Sequence, residues 1–235
     1  RYGFRWDGEV VRQSERTAHY VRALDRLRAA GFVYACACTR RDMEQAPQNA
    51  SGERIYPGTC RHAAVDPRAP HVAQRVRVDD AIVEYVDVSQ GPQRQDMARE
   101  VGDFIVRRAD GWFAYQLAVV VDDALQGVTS VVRGADLLPS TPRQIFLQRA
   151  LEVATPSYLH VPVAINAAGE KLSKQTGAAP LPDDPVPALM SAWKFLDQPC
   201  PQALPSSPEA FMAHAVSAWT RTRLPPTTML PAPRL

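Results

Sequence analysis

The chain has 235 residues, 46% of them hydrophobic and 22% charged, with a net charge of +2. That length suits one large domain or a domain with a smaller appendage, and the composition is globular, not low-complexity. No apolar run approaches about 18 residues and no signal peptide opens the chain, so neither a membrane span nor a membrane partner is expected; the near-neutral charge permits a nucleic-acid partner without arguing for one.

The chain begins with Arg1, not Met, and RYGFRWDGEV reads as the end of something, so a fragment is expected. Ser14 then precedes ERTAHYVRALDRLRAAG, with Ala18, Val21, Leu24 and Leu27 at helical spacing and Gly31 as the stop; an amphipathic helix capped by Ser14 is predicted. FVYACAC is a short strand, and TRRDMEQA a short helix ended by Pro47, followed by the polar loop QNASGER. VAQRVRV and AIVEYVDV are predicted as two strands of one small sheet, separated by Asp79 and Asp80. DFIVRR with the turn Ala109-Asp110-Gly111 suggests a hairpin. YQLAVVVDDALQG is strand or helix; periodicity alone does not separate them. VTSVVRG is a strand, STPRQIFLQRAL a helix with an early proline, and YLHVPVAIN a strand leading into the polar loop AAGEKLSKQTGA. Beyond residue 180, proline-rich joints separate VPALMSAWKFL and PEAFMAHAVSAWTRTRL, which read as a small helical region. The class is mixed α/β.

Three of the four cysteines, Cys36, Cys38 and Cys60, fall within ACACTRRDMEQAPQNASGERIYPGTC. In a cytoplasmic chain thiols stay reduced, and clustered cysteines more often mean metal than disulfide. A C-x-C pair at a strand end can aim two sulfurs one way, and the Pro57-Gly58 turn would fold Tyr56 back toward Cys60. His62 and Tyr56 both qualify as a fourth ligand. The bland alternative is three ordinary buried cysteines. Cys200, between two prolines, reads as a bystander.

GEKLSKQTG places Lys171 and Lys174 three residues apart in a glycine-flanked loop after an apolar strand. Such a cationic loop can clamp phosphate, and in open α/β sheets ligands bind beyond the carboxyl ends of strands. Most lysine pairs are nevertheless solvated surface.

KLSKQ resembles the KMSKS-type signature of class I aminoacyl-tRNA synthetases, although Leu172 and Gln175 depart from its commonest form. DFIVRRADGWFAYQLAVVVDDALQGVTSVVRGADLL closely resembles the stretch ahead of that signature in the glutamyl and glutaminyl subclass, and the likeness runs from residue 1 to about 180. Within the subclass, the short chain and the cysteine window look most like the glutamyl-queuosine tRNA(Asp) synthetase family. The resemblance implies an incomplete Rossmann-like catalytic domain over residues 1–180, with a zinc-binding insertion at about 33–66 and a helical region over 181–235. It implies a helix for YQLAVVVDDALQ, Zn2+ held by Cys36, Cys38, Tyr56 and Cys60, and contacts from Tyr115 and Arg133 to L-glutamate. It also implies a catalytic, ATP-contacting Lys174 assisted by Lys171, with ATP used alongside Mg2+. The implied activity is ATP-dependent activation of glutamate and its transfer to queuosine in the anticodon of tRNA(Asp), by a cytoplasmic monomer. No H-I-G-H-like motif occurs in the 235 residues, so the chain by itself is expected to be inactive. Two further readings are an ordinary glutamyl-tRNA synthetase core and a non-catalytic, zinc-stapled RNA-binding module.

Overall fold

In the computed structural model, residues 1–173 and 180–233 are described, and they form a mixed α/β fold. The first helix, α1 (Thr17–Ala29), buries Tyr20, Ala23, Leu24 and Leu27 on one stripe. Ser14 does not cap it. It lies in a 3-10 turn, Gln13–Glu15, and Arg16 occupies the N-cap position without a side-chain cap bond. The helix start is held from across the fold instead: Arg16 Nε, Tyr20 OH and Gln13 Nε2 all donate to the buried carboxylate of Asp122, at 2.6, 2.7 and 3.0 Å. The end is as predicted. Gly31 takes φ +78°, and the amides of Gly31 and Phe32 close on the carbonyls of Arg28 and Leu27, a Schellman arrangement.

Three strands make a small antiparallel sheet: β1 (Val33–Cys36), β2 (Ala73–Val76) and β5 (Phe104–Arg107), with β2 central. A second sheet has the order β4 (Gly91–Asp96), β3 (Ile82–Asp87), β7 (Ser157–Val161), β6 (Ser130–Gly134). β3 pairs antiparallel with β4 and parallel with β7, and β7 pairs parallel with β6. The two strands expected to share one sheet therefore divide between two. Asp79 adopts φ +41° between them and turns the chain out of the first sheet. Alternation shows that a segment is extended but does not name its partner.

YQLAVVVDDALQ is a helix, α2 (Tyr115–Leu125). STPRQIFLQRAL forms α3 (Thr141–Ala150), with Pro142 in its first turn. YLHVPVAIN is broken at Pro162 into β7 and β8 (Val163–Ile165), and β8 turns away to pair with β9 (Met229–Pro231) near the C-terminus. TRRDMEQA yields only the 3-10 turn Arg41–Met43, where Asp42 accepts from the Thr39 amide and hydroxyl. The tail carries α4 (Pro185–Phe195) and α5 (Pro208–Ala218), which pack through Leu189, Met190, Trp193 and Phe211. The main core joins Leu24 and Leu27 to Val76, Val83, Met97, Leu117, Ile145, Leu147 and Tyr158, so α1, α2 and α3 pack with both larger sheets. No helix among the described residues is long and apolar enough to cross a membrane.

Candidate active site and metal centre

β1 delivers Cys36 at its last residue, paired across the sheet with Ala73, and Cys38 follows two residues on. The return element supplies Tyr56 and Cys60 across a turn in which Gly58 takes φ +82°. The sulfurs of Cys36, Cys38 and Cys60 lie within 4.8 Å of one another, with Cys38 and Cys60 at 3.5 Å. The Tyr56 hydroxyl joins them, 3.3 Å from the Cys36 sulfur and 3.4 Å from that of Cys38, and accepts from the Cys60 amide at 2.8 Å. His62 is exposed and does not belong to the cluster; Cys200 is exposed and remote in sequence. Sulfurs about 2.3 Å from a tetrahedral zinc stand about 3.8 Å apart, so this donor set fits one ion.

A buried arginine braces the cluster. Arg75 of β2 donates from Nε to the Cys36 sulfur at 3.2 Å and from Nη1 to the Asp103 carbonyl at 2.8 Å, with its guanidinium carbon 3.8 Å above the Tyr56 ring. The Asp103 carboxylate accepts from Arg61, Tyr34 OH and the Val78 amide. Within the cluster, burial followed by its bonds to the sulfurs pushes the Tyr56 hydroxyl far up, and burial raises the Cys38 thiol to about 11. Burial opposes ionisation of Cys60 too, but hydrogen bonds, first from Tyr56, bring it down to about 7.

The second constellation stands at the carboxyl ends of two parallel strands. Arg133 on β6 lies directly across from His160 on β7. Its Nε is 3.0 Å from His160 Nε2, its Nη2 is 2.9 Å from Thr141 Oγ1, and its Nη1 is 3.5 Å from the hydroxyl of Tyr115, the half-exposed first residue of α2. Tyr115 and Arg133, eighteen residues apart in sequence, thus converge on one spot. His160 Nδ1 in turn meets Asp87 Oδ2 at 2.6 Å, with both side chains fully buried. Burial lowers the imidazole below its ordinary value against the pull of Asp87; burial also works against ionisation of Asp87, but hydrogen bonds, first from His160, prevail and hold it below the usual carboxylate range. Lys171 forms an ion pair with Asp136, two residues past Gly134 at the end of β6. A side chain at Gly134 would run into that carboxylate, its Cβ 2.5 Å from Oδ1. Lys174 lies outside the described residues.

Asp87, His160, Thr141 and Arg75 escape the sequence reading. A histidine within β7 and an aspartate at the end of β3 are the local signal for the first pair.

Residues 1–186 match the family described as tRNA synthetases class I (E and Q), catalytic domain. The chain belongs to this family. It is 51% identical over 236 aligned positions to a protein of Thiobacillus denitrificans named glutamyl-Q tRNA(Asp) synthetase, covering 99% of this chain and 78% of that one. It is 52% identical to a protein of the same name from Aromatoleum aromaticum, covering 99% and 74%. Among solved structures, a glutamate tRNA ligase from Elizabethkingia meningosepticum in complex with its amino acid superimposes with a TM-score of 0.71 at 20% identity. That match takes in 96% of this chain and 53% of the other, about half its length, and supports the fold alone. The class I catalytic fold expected from the KLSKQ and VVRGAD blocks is thereby established, and the expected helix of YQLAVVVDDALQ is α2.

Proposed function

We propose that the protein activates L-glutamate with ATP and transfers it to the queuosine base in the anticodon of tRNA(Asp). The convergence of Arg133 and Tyr115 at the carboxyl end of a parallel strand pair carries this reading, because a donor-only guanidinium beside a hydroxyl is chemistry for a carboxylate. The names of relatives about half identical over nearly the whole chain support the acceptor.

In the first step the glutamate α-carboxylate oxygen bonds to the α-phosphorus of ATP, the bond to the bridging oxygen breaks, and pyrophosphate leaves with that electron pair. In the second step an acceptor hydroxyl attacks the acyl carbon, gives up its proton, and AMP departs. The protein's part is alignment and charge stabilisation: Arg133 and Tyr115 hold glutamate, while the role of Lys171 and Lys174 is to stabilise the developing charge on phosphate, with Mg2+ accompanying ATP. Cys36, Cys38, Tyr56 and Cys60 would hold a Zn2+ whose chemistry is structural, since four protein ligands leave no open position for a substrate. It would staple the end of β1 to the Tyr56–Cys60 return.

Charging by the full gene product decides the acceptor. Labelled glutamate is expected on tRNA(Asp) that carries queuosine and not on the same tRNA without it. Charging of tRNA(Glu) instead would make this the core of an ordinary glutamyl-tRNA synthetase.

A further inference from the structure

Asp87 and His160 touch no reacting atom in that scheme, yet both side chains are fully buried beside it. We propose that Asp87 and His160 form a positioning dyad that fixes the guanidinium of Arg133 with its Nη1 end toward the ligand; this rests on the reading of Arg133 as the carboxylate-binding residue. Arginine Nε carries one hydrogen and can only donate, so His160 Nε2, 3.0 Å away, accepts. A neutral imidazole then keeps its proton on Nδ1, which faces a carboxylate oxygen of Asp87 at 2.6 Å. The other oxygen of Asp87 accepts from the amides of Ser89, Gln90 and His160, at 3.0, 2.9 and 3.2 Å, so the carboxylate cannot swing away.

Thr141 completes the clamp. Its hydroxyl, also fully buried, accepts from Arg133 Nη2 and lies 3.2 Å from His160 Nε2. The edge of the guanidinium formed by Nε and Nη2 is thereby engaged inside the protein. Nη1 is left beside Tyr115 OH, and a planar fork offers a carboxylate one orientation only when its other edge is pinned. The proton on His160 matters more than its shape. Were the proton on Nε2, two N–H groups would confront each other and the arginine would have to turn.

A merely structural role, tying β3 to β7, predicts something different. Asp87→Asn keeps the size of the side chain and its acceptor oxygen, but its amide donates to Nδ1 and drives the imidazole proton to Nε2. Nitrogen-15 NMR of the full gene product reads this directly. The wild type is expected to show a neutral, Nδ1-protonated His160 and a slowly exchanging Arg133 Nε–H. Asp87→Asn should switch the tautomer, expose that N–H to exchange, and weaken L-glutamate binding about tenfold or more while the fold is retained. His160→Gln, which can still present an acceptor to Arg133, should bind glutamate better than His160→Leu, and this pair decides the matter if Asp87→Asn does not fold. An Nε2-protonated His160 in the wild type overturns the dyad. So does a tautomer switch that leaves glutamate affinity unchanged, or equal binding by the Gln and Leu variants. If not even the wild type responds to glutamate, the carboxylate reading of Arg133 fails, and the tautomer and N–H protection still decide whether the dyad holds the arginine.

Discussion

Arg75 donates from Nε to the sulfur of Cys36 at 3.2 Å, from a position in β2 where the side chain is almost wholly buried. Three thiolates and a phenolate around a divalent ion would leave two negative charges in a largely buried site, and this guanidinium is a positive group that touches it. Arg75→Met is therefore expected to lower zinc affinity by about 10–100-fold, as for other partners of metal ligands. Arg75→Lys should recover only part of the loss, because a lysine cannot both lie flat on Tyr56 and donate along the Nε direction. Competition with a chromophoric chelator measures both; equal affinity of wild type and Arg75→Met would remove Arg75 from the site.

Tyr56 is the unusual member of the donor set. Tyr56→Phe is expected to bind zinc with at least about tenfold weaker affinity, or at reduced stoichiometry, by losing one of four ligands. Full stoichiometry at unchanged affinity would mean that His62 or water is the fourth ligand. Gly102→Ala reaches the same residue through the backbone. Gly102 sits at φ +68° with the position of a Cβ 2.8 Å from the Tyr56 amide nitrogen, so an alanine there must push the Tyr56 backbone away. Its metal content should fall with that of Tyr56→Phe.

Asp122 gathers three donors from the start of α1 in place of a helix cap. Asp122→Ala strands a partly buried arginine end and two further donors, and should destabilise the fold by about 2 kcal/mol, in the range for losing hydrogen bonds to a charged group. Urea unfolding followed by circular dichroism gives the value. A change below about 0.5 kcal/mol, ordinary for surface sites, would mean that α1 is held by its apolar stripe alone.

The same contact sets an alkaline limit. Burial first, and then the hydrogen bond to Asp122, push Tyr20 up to about 12 from an ordinary value near 10. The fold holds the neutral phenol more tightly than the unfolded chain does. Its contribution is therefore complete below about pH 10 and lost as pH rises through about 12. Tyr85, raised similarly by burial, titrates in the same window. Unfolding free energy should fall between pH 10 and 12, less steeply in Tyr20→Phe than in the wild type; parallel curves would show that Tyr20 is not linked to stability.

Short-range signals were the legible ones. Cys36, Cys38 and Cys60 lie within 25 positions, Gly31 marks a helix end and Pro142 a helix start, and each is a local matter of chain geometry. What escaped depends on partners far along the chain. VAQRVRV and AIVEYVDV look alike as strands, but one is the buried centre of an antiparallel sheet and the other joins β7, seventy residues away. GPQRQD is too polar to announce the edge strand β4, which a flanking position in the sheet allows it to be. Alternation in β2 would send Gln74 and Arg75 to opposite faces and at least one to solvent, yet both are buried. The cysteine and tyrosine cluster supplies the reason for Arg75. Ser14 looked like a helix cap because its type favours that role, but Asp122, more than 100 residues on, decides where α1 begins.

Lys171 and Lys174 test the chemistry itself. If the loop acts on phosphate as charge develops, Lys174→Ala should slow adenylation by about 100–1000-fold, the range for removing one preorganised charge-stabilising group. Glutamate affinity should change little if Arg133 and Tyr115, as proposed, hold that substrate. Asp136→Ala, which frees Lys171 from its ion pair at the end of β6, should shift the Michaelis constant for ATP more than that for glutamate. Glutamate-dependent pyrophosphate exchange by the full gene product separates these effects. An adenylation rate that survives Lys174→Ala intact would remove the loop from the chemistry and leave Arg133 and Tyr115 as the site's recognised groups.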